Sequence, residues 1–236
     1  MPAPQTPAVA RHPHLGDPCP AGWVRVDLHS HTMWSGDSTT TPEELEQAVV
    51  ESGLDVLCIT DHNAIRGAEQ LVAALPCRVV VGEELRTHAG EIIGLFLTER
   101  VPVGTPPLRA AAMIRAQGGV VYVPHPFDPV RRNLAEPALL ELVGAGLVDA
   151  IEVRNAKTSL ESLNRRAADF AAEHGVLAGA GSDAHVPDAL GAAYVEMPDF
   201  DGPTAFLTSL ALGRIVGHHW DGARPWRSRI VPSTSP

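Results

Sequence analysis

Val24-Arg25-Val26-Asp27-Leu28-His29-Ser30-His31-Thr32 begins as an apolar, extended run and ends in two histidines spaced two apart. Side chains alternate across a strand with a period of two, so both imidazoles fall on one face, close enough to share a cation. The same plan recurs along the chain. Val56–Ile59 runs into Thr60-Asp61-His62-Asn63, and Val79–Val81 into Gly82-Glu83-Glu84. Val120–Val123 runs into Pro124-His125-Pro126, Ala150–Val153 into Arg154-Asn155, and Val176–Ala180 into Gly181-Ser182-Asp183-Ala184-His185. Each candidate ligand lies at or just past the C-terminal end of an apolar strand.

Between these strands lie helical segments: Pro42–Ser52, Ala64–Ala74, Pro107–Gln117, Pro137–Val143, Leu160–His174 and Pro203–Leu212. Thr41-Pro42-Glu43-Glu44 reads as an N-cap, a proline at the first helical position and acids in the first turn. Gly53, Gly118 and Gly175 stand where helices should stop. Strands alternating with helices imply a mainly parallel sheet covered by helices, and uniformly apolar strands imply burial on both faces. A closed barrel gathers all the strand ends around one axis, whereas an open sheet would spread the outer ligands over separate pockets. The ligand pattern therefore favours a barrel. Weaker strands are expected near Tyr194–Met197 and Arg214–Val216.

Glu84 and Glu91 are too close in sequence for a helical crossover, so a hairpin is expected with Gly90 in its turn. It would bring Glu91 beside Glu84 at the barrel mouth. His88, at the turn tip, is expected to be solvated. Imidazoles mixed with carboxylates, and no cysteine among them, suit zinc, manganese or iron.

Taken singly, each residue has an ordinary explanation: Asp61-His62 as a helix start, His125 between prolines as a rigid turn, Glu84 as a solvated acid. Chance would have to place ligands independently at five or six strand ends. Elsewhere the ordinary explanation stands. His12, His14 and Cys19 belong to a proline-rich stretch, His218-His219 to the surface or to packing, and His174 to a helix end. Cys58 reads as core and Cys77 as loop.

The 236 residues suit one large domain or two small ones, and a single barrel can use this whole length, with a mobile arm expected at 1–22, the metal-binding domain at 23–220 and an irregular tail at 221–236. Residues 1–22 hold six prolines and no apolar core of a secretory signal. No apolar run approaches the ~18 residues of a membrane span. A net charge of -10 argues against tight nucleic-acid binding. Three widely spaced cysteines are neither a disulfide framework nor a zinc finger, and a reducing cytoplasm is expected. There is no Gly-X-Ser-X-Gly elbow, P-loop or dinucleotide fingerprint.

With these motifs in order, the stretch from Val24 to Gly217 resembles the PHP (polymerase and histidinol phosphatase) superfamily. Its length is similar to that of the family's small stand-alone bacterial phosphoesterases. The resemblance implies an α/β fold, a distorted (β/α)7 TIM-like barrel, with two or three divalent metals (Mn, Zn or Fe) at the C-terminal strand ends. It assigns His29, His31, Glu84 and Asp183 to one metal. Glu84 would bridge to a second, also bound by His125, and Asp37, His62 and His185 would hold a third. Many members carry histidine where this chain has Glu91, a change that favours harder metals.

The expected activity is hydrolysis of a phosphate ester, most simply a phosphomonoester on a small substrate, by a metal-activated water. Asp61, His62, Glu84 and Asp183 are the expected catalytic residues, with Asp61 steadying His29 or His62 or serving as general acid or base. Arg131, Arg132, Arg154 and Lys157 are candidates to meet the phosphate, with Arg66 and Arg86 behind them. Amide or cyclic-ester hydrolysis on the same cage, or a non-catalytic metal-binding module, are the competing readings.

Overall fold

The computed structural model describes residues 19–222. The expected arm and tail fall almost wholly outside them, as do His12 and His14.

The strands are β1 (Trp23–Ser30), β2 (Val56–Ile59), β3 (Arg78–Thr87), β4 (Gly90–Leu95), β5 (Val120–Val123), β6 (Ala150–Asn155), β7 (Leu177–Gly181), β8 (Ala193–Pro198) and β9 (Arg214–Gly217). They form one sheet in the order β7-β6-β5-β4-β3-β2-β1-β8-β9. Strands β1 to β3 pair in parallel, as do β5 to β7, and β4 runs antiparallel between the two sets. The hairpin is as the short Glu84–Glu91 spacing requires: Thr87 pairs with Gly90 and Arg86 with Glu91.

The sheet nearly closes on itself. Past the end of β7 the Asp183 N–H donates to the carbonyl of His29 (2.8 Å), and the His31 N–H donates to that of Ala184 (2.9 Å). Along the other half of β1, Trp23–Val26 pair instead with β8. Seven strands thus close at the C-terminal rim of β1, while the β8–β9 ribbon wedges in at the opposite end.

Helices α1 (Pro42–Ser52), α2 (Arg66–Leu71), α3 (Pro107–Ala116), α4 (Glu136–Gly144), α5 (Glu161–His174) and α6 (Gly202–Leu210) complete the fold. The α1 N-terminus is a capping box. Thr41 Oγ1 accepts from Glu44 N–H (3.3 Å), and a Glu44 carboxylate oxygen accepts from Thr41 N–H (3.1 Å). At its other end Gly53 takes φ 63°, a left-handed conformation glycine adopts without cost. Helix α2 is shorter than its pattern suggests. It has no side-chain cap, and past Leu71 the Ala74 N–H turns onto the Leu71 carbonyl, tightening the chain out of α geometry.

Alternation sorts the core. Val26, Val56, Cys58, Val80, Tyr122 and Ala150 belong to a cluster inside the barrel. On the other face Leu57 and Ile59 meet Leu45, Val49 and Leu71, while Val121, Val123 and Ile151 meet Ile114, Leu139 and Phe170. Burial on both faces is why the strands read as uninterrupted apolar runs. No helix among the described residues is long and apolar enough to cross a membrane.

Candidate metal centre

Five imidazoles (His29, His31, His62, His125, His185) and four carboxylates (Asp37, Glu84, Glu91, Asp183) converge at the rim where β1 meets β7. Their nitrogen and oxygen atoms form overlapping sets, each within 4.8 Å: His29, Glu84 and His125; His29, His31 and Asp183; His31, Asp37, His62 and His185; His62, Glu84 and Glu91. Glu84 is the hub. Its Oε1 lies 3.1 Å from His125 Nε2, and its Oε2 lies 3.4 Å from His29 Nε2, 3.2 Å from His31 Nε2 and 3.1 Å from His62 Nδ1. Asp183 Oδ1 stands 3.7 and 3.5 Å from the same His29 and His31 nitrogens. Asp37, on the loop after β1, reaches His62 (3.4 Å) and His185 (3.1 Å). Glu91 lies 3.8 Å from His62 and 3.9 Å from His125.

The donor chemistry fits divalent cations. His29 Nδ1 faces Glu152 at 3.2 Å, and His31 Nδ1 faces Ser35 Oγ at 2.9 Å. With both Nδ1–H groups donating outward, the two Nε2 lone pairs point at each other across 3.1 Å, an arrangement that needs a positive charge beside it. The titration pattern shows the same demand. Burial opposes charge on His31, but bonds with Asp183 and Glu84 lift it to about 9. Burial likewise opposes charge on His29, and Glu152 and Glu84 raise it well above the usual imidazole value. Burial works against ionising Glu84 and Asp183. The charges of His29 and His62 on the first, and of Lys157 and His29 on the second, hold both far below the usual carboxylate range. His185, buried and facing a charged His31, is pushed down to about 3. Glu91 is raised by burial and by repulsion from Glu84. The cluster thus calls for positive charge at its centre, which divalent cations would supply.

Backbone geometry is bent to this purpose. The register slips between Asp27 and Ser30 on β1, the kind of irregularity that re-aims side chains at a functional rim. His125 (φ 30°) and Asp183 (φ 50°) both occupy strained, positive-φ backbone. Asp27 holds the seam from below, accepting from the N–H groups of His29 (3.2 Å), Ser182 (2.9 Å) and Gly191 (3.2 Å).

Three sequence expectations are corrected. Asp61 contacts neither the His29 nor the His62 ring. It accepts from Thr32 N–H (2.7 Å) and Thr32 Oγ1 (2.6 Å) and pairs with Ser35, whose hydroxyl meets His31, so the ligand it steadies is His31. Arg154 is turned away from the cavity. A register shift between Glu152 and Arg154 sends its guanidinium to Glu161 on α5, in a two-pronged pair at 2.6 and 2.9 Å. Lys157 sits behind the ligands instead of at the mouth, with Nζ 2.8 Å from His185 Nδ1 and 3.7 Å from Asp183.

Above the ligands is a cavity of about 150 Å³, with His62, Glu84, His125 and His185 on its floor and Arg86, Val130, Arg131 and Arg132 around its mouth. Arg86 Nε bonds Glu91 (3.2 Å), and Arg131 reaches to 3.7 Å from Asp183. Arg66 does not line it. A larger groove of about 320 Å³ between α1 and the Pro187–Ala189 turn carries Glu44, Glu51 and Asp188 but no imidazole. His88 is exposed, His174 stacks on Phe170, and His219 bonds the Ala156 carbonyl, all away from the cluster.

The fully buried Glu152 and Asp27 received no role in the sequence reading. The signal was present: an acid inside an apolar strand must find a partner to be buried at all.

The PHP domain family matches residues 27–94, and the PHP-associated family matches residues 161–215. Uncharacterized protein MJ1587 of Methanocaldococcus jannaschii is 37% identical over 147 residues, covering 56% of this chain and 82% of that protein. Uncharacterized protein MJ0417 of the same organism is 35% identical over 198 residues, covering 80% of each. Among solved structures, a two-domain protein containing predicted PHP-like metal-dependent phosphoesterase from Bacteroides vulgatus superimposes with a TM-score of 0.66 at 17% identity, covering 88% of this chain and 69% of that one. At that identity the likeness speaks to the fold.

Proposed function

The chain belongs to the PHP family, and from that premise we propose that it is a metal-dependent phosphomonoesterase acting on a small phosphorylated substrate. One observation carries the reading: a small cavity floored by imidazoles and carboxylates and ringed by Arg86, Arg131 and Arg132. Guanidinium groups match phosphate oxygens, and a cavity of this size takes a phosphoryl group while the leaving group projects through the mouth.

His29, His31, Glu84 and Asp183 would hold one cation. Glu84 with His125 and Glu91 would hold a second, and Asp37, His62 and His185 a third. Bound cations, manganese, iron or zinc, would supply Lewis acidity to the phosphate and acidify a water. The chain's own part is placement and charge. Glu84 spreads its two oxygens between the His125 side and the His29, His31 and His62 side. The Asp61–Ser35 pair fixes the His31 tautomer, leaving its Nε2 free to donate. Arg131 and Arg132 orient the phosphate from the mouth. Lys157 offsets the buried charge of Asp183 from behind.

The test is turnover of a phosphate monoester, a phosphate diester and an amide by the manganese-loaded protein. Monoester hydrolysis that disappears in His125→Ala and Asp183→Ala supports the proposal. Turnover of the amide alone, or monoesterase activity that survives both substitutions, overturns it.

A further inference from the structure

Beneath the ligands lies a carboxylate with no access to substrate. Glu152, on β6, points into the barrel with its side chain fully buried. It accepts from His29 Nδ1–H (3.2 Å to Oε1), from His125 N–H (2.8 Å to Oε2) and from Asn155 Nδ2 (2.9 Å to Oε2). The same Asn155 amide lies 3.4 Å from Asp183 Oδ2. The fold makes room for this contact at Gly181, where a Cβ would stand 2.7 Å from Glu152 Oε1 and 2.3 Å from His29 Cβ.

We propose that Glu152 is a positioning residue for the inner part of the metal centre. It sets the ring of His29, the strained backbone of His125 and, through Asn155, the carboxylate of Asp183. The inference rests on the metal-centre reading above. Its reach is selective: among the described residues no hydrogen bond or ion pair joins Glu152 to His31, Asp37, His62 or His185. An anion behind Nδ1 fixes the tautomer and strengthens Nε2 as a donor, the effect that makes such partners matter in metal sites. A buried carboxylate in an apolar barrel is destabilising unless its lone pairs are taken. Here two of the three groups that take them belong to ligands, the His29 ring and the His125 backbone.

The full chain, stripped with chelator, is titrated with Mn²⁺ by calorimetry, and bound metal is counted by elemental analysis after gel filtration. Glu152→Gln is expected to weaken the two sites that Glu84 bridges, one held through His29 and Asp183 and the other through His125, by about 10- to 100-fold. The third site, held by Asp37, His62 and His185, should stay within about twofold of wild type. Asn155→Ala should weaken the same two sites by a smaller factor, and it carries the test if Glu152→Gln does not fold. Wild-type affinity and stoichiometry in the folded variants overturn the inference, as does an equal loss at every site. Absence of Mn²⁺ binding in the wild type overturns the metal reading itself, and this inference with it.

Discussion

Glu83 and Glu84 are neighbours on β3 with opposite fates. Glu84 turns inward to the histidines, while Glu83 turns outward, where Oε2 accepts from Val101 N–H (2.7 Å) and burial pushes its pKa up to about 7. Below pH ~4.5 the folded and unfolded chains both keep this proton, and between there and pH ~7 only the folded chain does. Stability from this group is therefore complete in acid and is lost as pH rises through the folded value, by about 3 kcal/mol. Glu83→Gln should match wild type near pH 4 and exceed it by about 3 kcal/mol at pH 8 in urea melts with chelator present. A variant that keeps the wild-type slope would show that Glu83 is not the source. At the cavity, Arg131 and Arg154 separate on similar grounds. Arg154 holds an exposed pair with Glu161, so Arg154→Ala should shift stability by less than about 0.5 kcal/mol and leave kcat/KM nearly unchanged. Arg131→Ala should lower kcat/KM about tenfold or more, mainly through KM. Equal effects on kinetics would remove Arg131 from the phosphate site.

At the scale of elements, the strands were legible because burial on both faces turns them into apolar runs, and most of the candidate ligands were legible because they follow such runs. The hairpin followed from the brevity of Glu84–Glu91. What escaped were features that depend on register. Arg154 has the right residue type at the right strand end, yet the slip after Glu152 hands it to α5. Glu152 and Asp27 escaped because a lone acid in a strand carries no local sign of whom it will meet across the barrel. Pairing of β8 with the first half of β1 escaped for the same reason: it is a contact between Trp23–Val26 and residues 195–198. Gly181 shows how tightly the strand contacts are drawn. Its missing Cβ is the space filled by His29 and Glu152, and both are fixed by other bonds. Gly181→Ala should therefore cost about 2–3 kcal/mol of stability and weaken Mn²⁺ binding together. A stable variant with normal metal affinity would mean that the β1–β7 approach is looser than it looks.

Over the whole molecule, the decisive feature is that the metal centre straddles the place where the sheet closes. The β1–β7 seam rests on the Asp183–His29 and His31–Ala184 backbone bonds, and the side chains flanking it, His29 and His31 on one side and Asp183 and His185 on the other, are all candidate ligands. Without metal the seam must also carry buried carboxylates and imidazoles balanced only by protons. A cation bound there joins the first strand of the barrel to the last, and ligation of the folded state alone adds about 2.7 kcal/mol at a hundred times its Kd. Metal removal should accordingly lower Tm in a way that depends on free Mn²⁺ concentration. It should also speed amide hydrogen exchange first at residues 29–31 and 182–185, leaving the β5–β6 pair little changed. Exchange that rises evenly around the barrel would place the stabilisation in the fold as a whole. Exchange unaffected by chelator would mean that the seam holds without help.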